Sequence, residues 1–178
     1  MLRFLALLTL LATAAPALAD EARLDELFAA LKTADASNWE AIEDGIWAEW
    51  SDSGSPAMNL LLERGRGAMA ADAPEAAVEH LTALTENAPD FAEGWNARAT
   101  AFFQLGLYGP ALADIARALT LEPRHFGALS GLAVIFEETG GLERAAGAYR
   151  AALAIHPQRP DLREALERLE AELQGKSI

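Results

Sequence analysis

Residues 95–123 read WNARATAFFQLGLYGPALADIARALTLEP. Trp95, Ala99 and Phe102 are spaced by four and then three, which puts them on one face of a helix. Ala111, Ile115 and Ala118 repeat that spacing after the break at Gly106. Pro110 is tolerated in a first helical turn, and Pro123 stops the second helix. The small residues, Ala99 and Ala111, allow the two faces to approach closely. The stretch predicts a helical hairpin.

The same phrase is written three times. Pro89, Pro123 and Pro157 are 34 residues apart, and so are Ala77, Ala111 and Ala145. In that register Gly65 aligns with Ala99 and Ala133, Leu61 with Trp95 and Leu129, Ala68 with Phe102 and Phe136, and Leu81 with Ile115 and Tyr149. Gly106 and the Gly140, Gly141 pair mark turns between helices. This pattern resembles the tetratricopeptide repeat, whose signature runs W-x2-L-G-x2-Y, A-x3-F-x2-A, P. Trp95, Ala99, Phe102, Ala111, Ile115, Ala118 and Pro123 fill its positions in the second repeat. The resemblance extends to short secreted tetratricopeptide proteins of Gram-negative bacteria. It implies an all-α solenoid with repeats at 58–91, 92–125 and 126–159. Arg64 and Arg98 depart from the signature leucine, which only Leu132 keeps. A buried arginine needs a carboxylate, and Asp114 on the facing helix is the nearest candidate for Arg98.

A repeat array must close its ends. Residues 160–178 supply a capping helix, with Leu162, Leu166, Leu169 and Leu173 on one stripe and Glu164 and Arg168 as an outer i,i+4 pair. Residues 20–57 read as a degenerate N-terminal hairpin. Leu24, Leu27, Phe28 and Leu31 form one amphipathic face. A second helix begins at a capping box from Ser37 to Glu40 and carries Trp39, Ile42, Ile46, Trp47 and Trp50. The spacing of the three tryptophans favours a core seam against the first repeat over a sugar-stacking platform. Residues 1–19 have a basic start, an apolar run and "ALA" before an acid, the pattern of a secretory signal peptide cleaved after Ala19. The expected destination is the periplasm of a Gram-negative bacterium, and twelve Arg against two Lys suits a GC-rich genome.

Composition narrows the chemistry. The net charge of −13 disfavours nucleic acid and anionic lipid. Ten of the acids fall in residues 20–57 against only Arg23 and Lys32, which makes a solubilising face or a docking surface for a basic partner. With no cysteine there is no disulfide, thiolate nucleophile or zinc–thiolate site. His80, His125 and His156 are too far apart for a metal pair on one helix, and His125 suits a surface or inter-repeat hydrogen bond. "SDSGSP" has a protease-like look without the β scaffold or the positioned histidine such an enzyme requires. Gly65, Gly67 and Ala70 match a nucleotide-loop spacing but fall within a helix. The sequence therefore predicts no catalytic residue, no cofactor, no metal and no membrane span.

What remains is binding. The family resemblance implies a concave groove lined by the first helix of each repeat. Here that set is Asn59, Leu62, Arg66 and Met69, then Glu93, Asn96, Thr100, Phe103 and Gln104, then Ser130, Val134, Glu137 and Glu138. Family members that clamp a C-terminal carboxylate use Lys, Asn and Arg at these places, and Arg66 is the single base here. The expected function is a non-enzymatic adaptor that holds a protein or peptide segment. A self-associating or architectural subunit is the alternative, and an enzyme the remote one. Within the groove, Phe103 is expected to share an apolar wall with Leu62, Met69 and Val134.

Overall fold

The computed structural model describes residues 15–175, with side chains from 21 onward. Residues 1–14 of the expected signal peptide lie outside the described residues. The elements in order are α1 (Ala15–Thr33), α2 (Trp39–Ser51), α3 (Pro56–Ala70), α4 (Pro74–Asn87), α5 (Ala92–Gln104), α6 (Tyr108–Leu121), α7 (Phe126–Glu138), α8 (Leu142–Ile155) and α9 (Pro160–Gly175). No strand occurs among the described residues.

The three expected hairpins are α3–α4, α5–α6 and α7–α8, and they stack in order. The small columns explain the close approach: Ala77, Ala111 and Ala145 are fully buried. A Cβ added at Gly65 would lie 2.5 Å from Leu81 Cγ, so only glycine lets α3 meet α4 there. Each hairpin turns through a left-handed residue at the same column, Asp72 (φ 56°), Gly106 (φ 69°) and Gly140 (φ 76°). The next amide then donates back to the last helical turn, Ala73 to Ala68 O, Leu107 to Phe102 O and Gly141 to Phe136 O, at 2.9, 2.9 and 2.7 Å.

Arg98 is held by Asp114, Nε to Oδ2 at 2.7 Å and Nη2 to Oδ1 at 2.8 Å, and Nη1 also donates to Thr85 Oγ1 at 2.8 Å. Its guanidinium lies over the Trp95 ring. The fork geometry satisfies a charge that the leucine position would otherwise bury alone.

At the C-terminal end, α9 covers α8, burying Leu162 and Leu169. Its Arg168 does not pair with Glu164 as spacing suggested but reaches back to Glu137 Oε1 at 2.6 Å. The N-terminal end is finished differently. Leu60, Glu63 and Gly67 are exposed on α3, at the columns where α5 and α7 bury Ala97, Ala101, Ala128 and Ile135. Glu63 there puts a charge in the column that holds Ala97 and Gly131 in the later repeats.

The α1–α2 hairpin forms, but elsewhere. Its core of Leu27, Phe28, Leu31, Ile46 and Trp50 closes on Phe126 of α7, with Ile155 of α8 alongside, and no residue of α3 or α4 belongs to that cluster. The tryptophan seam therefore packs on the third repeat and not the first. An amphipathic stripe specifies that a face is buried and says nothing of which neighbour buries it. The capping box also fails: Ser37 donates through N and Oγ to Asp35 Oδ1, and α2 begins at Trp39 without a side-chain cap.

Candidate functional site

The inner face is built by α3, α5 and α7, the first helix of each repeat. Between α5 and α7 lies a cavity of about 130 Å³ lined by Asn96, Ala99, Thr100, Phe103, Ile115, Gly127, Gly131, Val134 and Ile135. Asn96, Thr100, Phe103 and Val134, four of the expected groove residues, are thus brought together. Gly127 and Gly131 were missed, and they make the room: they stand at the columns of Glu93 and Ala97. Two glycines in one helix, at positions that carry side chains in the preceding repeat, were the available signal.

The remaining expected groove residues have other engagements. Leu62 is only 1% exposed and packs with Leu81, Leu84 and Ala97, with Met69 against the same cluster. A leucine at the inner register sinks into the α3–α5 contact, so the wall shared with Phe103 does not include these two. Asn59 ties the linker after α2, accepting from Ser53 N at 2.8 Å and donating to Asp52 at 2.9 Å. Ser130 Oγ donates to Phe126 O, and Gln104 and Glu138 are exposed. Glu137 accepts from Arg168 and from the Tyr149 hydroxyl. Burial, with the Glu137 carboxylate beside it, pushes the Tyr149 phenol up to about 12.

A second, covered part of the inner face centres on Glu93. This carboxylate is 3% exposed and receives Arg66 Nη2 at 2.6 Å, Asn96 Nδ2 at 2.9 Å and His125 Nε2 at 2.9 Å. His125 Nδ1 accepts the Ala128 amide, so Nε2 carries the proton that Glu93 accepts. His125 is completely buried and, at the N-cap of α7, bonds back to α5 at the other end of the 92–125 repeat, neither a surface bond nor one across that boundary. Arg66, the one base expected in the groove, is spent on Glu93 and on Ser51 Oγ at 3.0 Å.

Over this part lies α2. Trp50 stacks flat on His125, with ring centroids 4.1 Å apart and planes 10° apart, and Trp47 meets His125 and Phe126 edge-on. A Cβ at Gly127 would stand 2.6 Å from Trp47, so the glycine also seats that indole. Around the rim, Arg124 pairs with Asp25 and lies over Phe28. Glu43 receives His156 Nε2 and Arg159 Nη1, both at 3.2 Å, and Trp47 Nε1 at 3.1 Å. Burial alone would raise the Glu43 carboxyl, but the bonds from His156 and Trp47 and the charge of Arg159 outweigh it and hold it below the usual range. Phe126 was the sequence signal for this contact, an aromatic where the earlier repeats carry Met58 and Ala92.

The geometry can take an apolar group into the α5–α7 cavity. No group of three or more His, Asp or Glu side chains that could hold a metal occurs among the described residues.

Known proteins place this architecture. The tetratricopeptide repeat model matches residues 62–119 and 108–160. A TPR repeat-containing protein of Rhizobium etli is 38% identical over 154 residues, covering 86% of this chain and 76% of its own length. The Arabidopsis OM64 TPR domain superposes with a TM-score of 0.61 at 26% identity, over 64% of this chain and 93% of that one. The first TPR of Spaghetti (RPAP3), bound to the HSP90 peptide SRMEEVD, is similar in fold with a TM-score of 0.64 at 22% identity, over 69% of this chain and 96% of that one. With its 34-residue hairpins, its family match and this relative, the chain belongs to the tetratricopeptide repeat family.

Proposed function

We propose that the protein is a non-enzymatic adaptor that holds an apolar segment of another protein on its inner face. The observation that carries this reading is the cavity between α5 and α7, apolar in its walls, with Asn96 and Thr100 among its lining residues. Its volume suits one large apolar side chain of an extended or helical segment. The RPAP3 domain's bound peptide supports peptide capture as a use of this fold, although the acidic motif it holds has no counterpart set of bases in this cavity. Export to the periplasm is part of the proposal, supported by the leader-like residues 1–19.

The test is selection of displayed peptides on the wild-type protein, followed by titration of the selected peptides against Phe103→Ala. An aromatic anchor of this kind contributes about 2 kcal/mol, so affinity should fall roughly thirtyfold while the fold persists. Peptides that bind both proteins equally overturn the cavity as the site.

A further inference from the structure

We infer that the floor beneath α2, formed by Glu93, His125, Phe126, Gly127 and His156, is an exchangeable helix-docking surface. Its resident occupant is α2, and the partner that replaces it is an acidic amphipathic helix with two aromatic residues three positions apart. This deepens the proposed function and rests on it in one respect, that the inner face takes a partner.

The floor is shaped for a helix. Trp47 and Trp50, three residues apart, enter side by side, one against the missing side chain of Gly127 and the other flat on His125. Their shared face is what an α-helix presents at i and i+3. Gly127 also lines the Phe103 cavity, so the floor and the cavity are continuous.

The rim selects for acid. In a chain of net charge −13, Arg124 and Arg159 stand at the edge of this floor and meet carboxylates of the resident hairpin, Asp25 of α1 and Glu43 of α2. A basic rim facing carboxylates from the occupant favours an acidic helix and rejects a basic one.

The resident is imperfectly seated. Trp50 Nε1 and His156 Nδ1 are buried in this contact without a hydrogen-bond partner. A crevice of about 460 Å³ stays open between α1 and the C-terminal end of α8, lined by Asp25, Phe28, Lys32, Arg124 and Ile155 among others. A buried polar atom left unmet weakens the docked state; Trp50 Nε1 leaves with α2, and an occupant that meets His156 Nδ1 displaces it. Exchange releases the hydrogen bonds of Asp52 and Ser53 to Asn59 and of Ser51 to Arg66, while no apolar cluster joins α1 and α2 to α3 or α4.

The experiment uses the full chain and, as probe, a fluorescein-labelled peptide of residues 21–52. Because the chain has no cysteine, Asp25→Cys with Arg124→Cys gives a unique pair that a bismaleimide can join, locking the hairpin down. The unlinked pair should bind the peptide and the linked pair should not. Trp47→Ala with Trp50→Ala, which loosens the resident and leaves the floor intact, should bind it at least tenfold tighter than wild type. The peptide carrying the same two alanines should not bind at all. Equal binding before and after linking overturns the inference, as does a variant lacking both tryptophans that stays helical by circular dichroism and takes no peptide. Should that variant unfold, the linked and unlinked comparison still decides. Phe103 belongs to the cluster of α5, α6 and α7 and not to the one built on α2. Phe103→Ala therefore leaves hairpin-peptide binding unchanged, and a failed cavity is told apart from a failed exchange.

Discussion

Asp72 stands at a column where its two counterparts, Gly106 and Gly140, are glycine, and all three have φ between 56° and 76°. The left-handed conformation crowds a Cβ against the backbone, and aspartate bears it better than most residues but not freely. Asp72→Gly should stabilise the protein by about 0.5–1 kcal/mol, and Gly106→Ala should destabilise it by about 1 kcal/mol, both measured by urea unfolding. Equal effects from the two changes would mean that the turn conformation does not control these positions. Breaking the Arg98–Asp114 pair should be costlier. Both side chains are mostly buried, at 14% and 7% exposure, so Asp114→Ala should cost about 3–5 kcal/mol, whereas Glu86→Ala on the exposed face of α4 should stay within about 0.5 kcal/mol. This pair was legible from sequence because an apolar column containing arginine demands a carboxylate. Leu62 was not legible in the same way. Its register marked the inner face correctly, but register does not distinguish a side chain on display from one drawn into the contact with the next helix.

Among elements, α2 is where sequence reading and structure diverge most. The spacing of Ile42, Ile46, Trp47 and Trp50 identified the buried stripe, and the 34-residue period identified every repeat helix. The period ends before residue 58, however, so it could not place α2 relative to the stack. Docking then depends on side-chain complementarity between segments about 80 to 110 residues apart, such as Trp47 with Gly127 and Glu43 with His156. Glu43 gives that contact a pH dependence with a definite sign. Its carboxyl lies below the ordinary glutamate value of 4.5 when docked. The resulting stabilisation is complete above that value and is lost as pH falls through the docked value. Tryptophan fluorescence followed from pH 7 downward should therefore report loosening of α2 below about pH 4.5, and Glu43→Gln should remove the part of the change that belongs to this contact. An identical profile in Glu43→Gln would assign the transition to other carboxylates.

For the molecule as a whole, stability should be uneven. The central repeat is stacked between neighbours on both sides, while the α1–α2 hairpin is attached through one face and the residues between Ser51 and Pro56. Hydrogen exchange should show α2 amides exchanging well ahead of the central amides of α5 and α7. Equal protection would make the hairpin part of one cooperative unit with the repeats. The four-residue span at 52–55 has a further effect on any competition for the inner face. A connection this short holds the hairpin at an effective concentration on the order of millimolar. A contact of only about 10 µM intrinsic strength would then leave the face uncovered about 1% of the time, and a competitor would lose about a hundredfold in apparent affinity. Dilute helices of matching shape are thereby refused, and a partner gains entry by being presented densely or through several linked contacts at once.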